Sequence, residues 1–67
     1  MKLFVERKTS KNDFSYSVLG VETDFGDIVL TMKDKEILDL TDLRKSELVN
    51  LSERIYVSTE FDIIKEY

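Results

Sequence analysis

Three groups of residues in this 67-residue chain have types and spacing that could carry chemistry. The first is Arg7, Lys8 and Lys11 followed by Phe14 and Tyr16. Cations that neutralise phosphate beside rings that stack on bases are the means by which single-stranded nucleic acid is held, at roughly 1–3 kcal/mol per stacked base. The second is Glu22, Asp24 and Asp27, the densest carboxylates in the chain. They lack the spacing of a calcium loop, and their turn-forming neighbours account for them as solvated turn residues. The third is the acidic surface of the remainder. It can mimic a phosphate array toward a nucleic-acid-binding partner, or simply keep the chain dispersed.

Much chemistry is excluded by composition. With no His and no Cys, neither Ser-His-Asp nor Cys-His nucleophile systems can be assembled, and His-ligated metal hydrolases, disulfides and the usual structural zinc sites go with them. Gly occurs only at positions 20 and 26, so no phosphate-binding loop or dinucleotide fingerprint can be written. The expectation is a binding module rather than an enzyme, with no catalytic residue, no metal and no cofactor.

The formal charge of −4 argues against a protein that coats phosphate backbones, but it averages over an asymmetry. Met1 to Lys11 sets four cations against Glu6 alone, a net +3, while the remainder sets six cations against thirteen acids, a net −7. Residues 12–30 contain Asp13, Glu22, Asp24 and Asp27 and no basic residue. A cationic end therefore adjoins an anionic body.

These groups need elements to hold them. Lys2 to Lys8 alternates as a half-buried strand, and Thr9-Ser10-Lys11-Asn12-Asp13 reads as a hairpin loop. Phe14, Tyr16 and Val18 share one parity with serines between them, and Leu19 and Val21 switch to the other around Gly20, where a bulge or bend is expected. If the hairpin forms, its tip presents the lysines beside Phe14 and Tyr16. The plainer reading makes Phe14, Tyr16 and Val18 a core stripe and leaves the lysines to keep an exposed tip soluble. Exposure of the two rings decides between them.

Thr23-Asp24-Phe25-Gly26-Asp27 has the polar residues and the glycine of a tight turn, leading into a third strand over Ile28 to Met32. Ile37, Leu40, Leu48 and Leu51 then fall on one side of a helical wheel, with Leu38, Leu43 and Val49 well off it. A break at Thr41-Asp42 resolves this into helical pieces over 34–39 and 42–51, the second presenting Leu43, Leu48, Val49 and Leu51 to the sheet. Glu36 to Leu40 can alternatively be read as a short strand. Arg54 to Ile64 alternates again, as a terminal strand or two joined near Ser58-Thr59-Glu60. The chain has no Pro, repeat or low-complexity run, so one small domain over 1–67 is expected. Its fold class is α+β, a curved antiparallel sheet of four or five strands with one helical segment, in the order β-β-β-α-β. Apolar runs are too short for a leader or a membrane span, which points to a cytoplasmic protein with no membrane partner. A helix face more apolar than the sheet requires would imply a homodimer.

The run Phe4-Val5-Glu6-Arg7-Lys8-Thr9-Ser10-Lys11-Asn12, the following Tyr16-Ser17-Val18-Leu19 and the later Leu38-Asp39-Leu40-Thr41 resemble small proteins of phages and conjugative elements of Gram-positive bacteria. The element order is also similar to OB-type barrels, including small single-strand binders of phages. That similarity implies an OB-like sheet if it closes, single-stranded nucleic acid or a nucleoprotein as partner, and contacts at Lys8, Lys11, Phe14 and Tyr16. The competing expectation is an acidic protein-interaction or inhibitory module.

Overall fold

In the computed structural model, which describes residues 1–57, three consecutive strands form an antiparallel meander: β1 (Lys2–Thr9), β2 (Ser15–Thr23) and β3 (Gly26–Thr31). Two short helices follow, α1 (Asp34–Leu40) and α2 (Lys45–Val49), before β4 (Ile55–Tyr56) returns to the far side of β1. The sheet order is β3-β2-β1-β4, so among the described residues β3 and β4 are its edges. The fold is a small α+β domain whose sheet is open among the described residues. No helix among them is long and apolar enough to cross a membrane.

Local chemistry explains the turns. Between β1 and β2 the Ser10 hydroxyl accepts from the amides of Asn12 and Phe14, the Ser10 amide donates to the Phe14 carbonyl at 2.8 Å, and Asp13 takes a left-handed φ of 59°. At the next turn Thr23 Oγ1 donates to the Gly26 carbonyl and accepts from the Phe25 amide, while Gly26 has a φ of 125° that a side chain would strain. Both turns fall where turn residues cluster in the sequence.

The helical region breaks at Thr41, and among the described residues the fold carries two helices where one helical segment in the order β-β-β-α-β was expected. Over 36–40 the chain is helix, not strand. Thr41 ends α1: its hydroxyl donates back to the Ile37 carbonyl at 2.8 Å and accepts from the Leu43 amide, a local bond that competes with helix continuation. The second helix opens at 45, later than the expected 42, where the Glu47 carboxylate accepts from the Arg44 amide at 2.9 Å. Of the expected sheet-facing stripe, Leu48 is fully buried and Leu43 and Leu51 partly, but Val49 is exposed. The terminal strand covers only Ile55–Tyr56, and the remainder of the alternation over 58–64 lies outside the described residues.

Cross-strand register sorts the side chains into two faces, since paired residues share a face and neighbours alternate. Val5 pairs with Leu19 and with Ile55, and on this face Val5, Leu19, Ile37 and Leu48 form the buried cluster beneath the helices. Phe4 pairs with Gly20 and with Tyr56 on the opposite face, yet Phe4 and Val18 are also buried there. The half-buried expectation for β1 is therefore corrected: the middle of the sheet is covered on both sides, and in β2 Ser17 to Val21 is one continuous buried run. The parity switch after Val18 reflects this two-sided burial rather than a bend. The register does shift between Leu19 and Gly20, but Leu19 pairs with Thr31 and Gly20 with Val29, so the extra residue is Leu30 on β3.

Candidate interaction surfaces

The structure separates the five residues singled out at the basic hairpin. Lys8 and Tyr16 are register partners on the face away from the helices, with Tyr16 half-buried. Arg7, one residue along, points to the helix-bearing face, where its guanidinium donates to the fully buried Ser17 hydroxyl at 2.8 Å. Lys8 lies 3.6 Å from the Glu6 carboxylate. Lys11 is exposed in the turn, and Phe14 beside it is 66% exposed. The core-stripe reading thus holds for Val18 alone: Phe14 falls at the base of the turn, where no second layer among the described residues covers it. Of the five, Lys11 and Phe14 stand clear to meet a ligand.

A cluster the sequence did not announce lies on the same face. Arg54, immediately before β4, sets its guanidinium 3.8 Å from the centre of the Phe4 ring and donates to carboxylates on three strands. It holds Glu6 of β1 through two nitrogens at 3.3 and 3.2 Å, Glu22 of β2 at 2.9 Å, and Asp27 of β3 through two nitrogens at 3.3 and 2.8 Å. The Tyr56 hydroxyl completes it by donating to Glu22 at 2.9 Å, and the Lys2 ammonium lies 5.1 Å from the Tyr56 ring centre. A planar fork on an aromatic face, bridging carboxylates in pairs, is geometry that lysine cannot reproduce. Glu22 and Asp27, expected as solvated turn acids, are instead ligands of this arginine. Phe4 can approach so closely because its partner is Gly20, over which a bare backbone leaves room for the ring.

Hydrogen bonds from Arg54 hold the Asp27 carboxyl below its ordinary value of 3.8, and the carboxylates hold the guanidinium proton more firmly still. The Glu22 carboxylate accepting from Tyr56 pushes the phenol above its usual 10. A lowered folded-state value means Asp27 contributes stability above pH 3.8 that is lost as pH falls below it; the raised Tyr56 value contributes stability lost as pH rises past 10. Arg54→Gln is expected to return Asp27 to an ordinary titration in side-chain carboxyl NMR. An unchanged Asp27 midpoint in that variant would contradict the cluster.

The third surface is the outer edge of β3. Ile28, Val29, Leu30 and Met32 are each about half exposed, and Phe25 in the preceding turn is 102% exposed. Met1, Phe25 and Ile28 share the lining of one surface depression, so the apolar strip continues around the end of the sheet. From Ile28 to Met32 there is no charge, in a chain that is 36% charged. Edges are commonly blunted by Lys, Pro or brevity. β4 is only two residues long; β3 has none of these devices and only the irregularity at Leu30. The one sequence signal for this surface was the uncharged run itself, which reads equally well as a buried strand.

No family model, curated protein or solved structure matches the chain. Fold and surfaces define a small α+β domain with an ion-pair hub on one face and an apolar edge.

Proposed function

We propose that the chain is a non-enzymatic protein-interaction module that takes an extended segment of a partner along β3. The observation that carries this is the exposed, uncharged edge over Ile28 to Met32. Strand addition to such an edge gives affinity through main-chain hydrogen bonds, and the alternating apolar side chains give it selectivity. The chain's net charge of −4 disfavours strongly anionic partners at long range and leaves the apolar edge as the point of contact. A photo-reactive residue placed at Val29 is expected to yield a discrete adduct in the native cell, and the same residue at Lys45 on α2 none. Absence of any adduct from β3 positions would remove this reading.

A second reading, single-stranded nucleic acid or nucleoprotein binding at the hairpin, is favoured by one observation: the Phe14 ring stands in solvent next to Lys11. It brings with it an OB-like interpretation of the open sheet and the phage or mobile-element setting implied by the resemblance. With Arg7 bonded to Ser17, at most Lys8 and Lys11 remain for phosphates, so the logarithmic salt slope for a single strand should be no steeper than about −1.4. Phe14→Ala should weaken binding of a labelled single strand at low salt by roughly 5- to 150-fold, the stacking of one base. Lack of saturable binding at low salt, or binding unchanged by Lys8→Glu with Lys11→Glu, would discard it.

A further inference from the structure

We propose that the apolar depression at the end of the sheet is covered by residues 58–67 of the same chain, with Phe61 and Ile63 seated against Met1, Phe25 and Ile28. The inference goes beyond docking at β3 and does not depend on it. Exposure of an apolar surface does not by itself say what covers it. Here the path of the chain does.

The described residues end at Val57, whose amide donates to the Leu3 carbonyl at 3.0 Å. Tyr56 pairs with Phe4 and Ile55 with Val5, so β4 runs toward the start of β1, which begins at Lys2. Continued on that register, residue 58 comes level with Lys2, and the chain beyond it is delivered to the end of the sheet, where Met1 lines the depression.

Parity selects the side chains that arrive there. Ile55 and Val57 both pack against the cluster beneath the helices, so odd-numbered residues of this segment face that side. Phe61 and Ile63 continue the odd series. Ile28 lies on the same side, since it pairs with Val21, two residues from Leu19. Even-numbered Glu60 falls on the other side with Tyr56 and Lys2, whose ammonium lies 5.1 Å from the Tyr56 ring centre, so opposite charges adjoin.

The reach is sufficient. From β4 past β1 to the turn between β2 and β3 is roughly 10–14 Å at ordinary strand spacing, and an extended chain covers about 13 Å from Val57 to Phe61 and about 20 Å to Ile63. A short tether also holds the segment at an effective concentration on the order of millimolar. A free segment of similar composition must bind more tightly than that to displace it, which favours the chain's own residues over a separate partner.

In amide NMR spectra of the full chain, Phe61→Ser with Ile63→Ser is expected to move the signals of Phe25, Gly26 and Ile28 and leave those of the turn over 10–14 in place, identically at every concentration. Phe25→Ser, at an exposed turn position outside the core, gives the reciprocal readout. The signals of Phe61 and Ile63 should move, and chymotrypsin should cut after Phe61 roughly ten-fold faster, as expected when one aromatic contact no longer holds the segment closed. Should the double variant fail to fold, Phe25→Ser alone decides. Signals at 25–28 that ignore the substitutions at 61 and 63, or cleavage unchanged by Phe25→Ser, would overturn the inference. Shifts that appear only at high concentration would assign the cover to a second copy and overturn it as well. The photo-reactive residue at Val29 reports on β3 separately: an adduct there with unmoved signals at 25–28 keeps docking at β3 and removes the cover, and the reverse result removes docking at β3 alone.

Discussion

Gly20→Ala is expected to destabilise the fold by about 2–3 kcal/mol, the upper part of the range for forcing a methyl into a packed site. A β-carbon at position 20 would lie 2.7 Å from the Ile28 carbonyl oxygen and 2.7 Å from the tip of the Phe4 ring. The ring could swing aside, but the carbonyl belongs to the backbone of β3, so relief requires the β2–β3 pairing itself to move. Total stability for 67 residues is on the order of 3–10 kcal/mol, so this one methyl removes a large share of it. Displacing the Phe4 ring also disturbs the platform on which Arg54 sits, and the arginine ties β1, β2 and β3 together. Urea denaturation gives the number directly. A midpoint unchanged from the parent would mean that Gly20 and Phe4 do not approach as described.

Ile37→Ala should cost about 2–5 kcal/mol, the usual range for emptying a fully buried aliphatic site. Ile37 is the only buried residue of α1 and packs with Val5, Leu19 and Leu48, so its removal detaches the helix from the sheet as well as leaving a void. Far-UV circular dichroism at room temperature should show a substantial unfolded population. Val49→Ala on the neighbouring helix, at a 42% exposed site, is the internal comparison, expected within about 0.5 kcal/mol. Equal losses from the two substitutions would mean that burial by the helices does not set the stability of this sheet.

The two substitutions probe opposite faces of one sheet, and the contrast shows where sequence reading succeeds. The places of β1, β2 and β3, both turns and the break at Thr41 were legible because each depends on residues within a few positions: parity in β1 and β2, Ser10 and Gly26 in the turns, a threonine hydroxyl that bonds back one helical turn; over 36–40 helix and strand stood equally open until α1 packed on the sheet. The register irregularity was legible as to place, and misattributed as to strand. Gly20 marked the spot through its missing side chain, while the extra residue lies opposite it on β3.

The site was less legible. Arg54 stands 48 residues from Glu6 and 27 from Asp27, and no local pattern relates them. Phe14 and Tyr16 belong to one period-two series, yet one is exposed at the end of a turn and the other is half-buried beside Lys8. Ile28 to Met32 read simply as a third strand, because an apolar run has the same composition at the centre of a sheet and at its edge.

By itself, then, the amino-acid order settled the α+β class, the three opening strands with their turns, and the break in the helical region, since propensity and turn formation are local properties. Strand order and the covering of each face were decided only when distant segments met. Periodicity announces that a strand has two faces, but what lies over each, a helix, an arginine or solvent, depends on pairings whose partners are tens of residues apart. That is why the ionic hub and the open apolar edge, the two features on which the functional reading turns, came into view only in three dimensions.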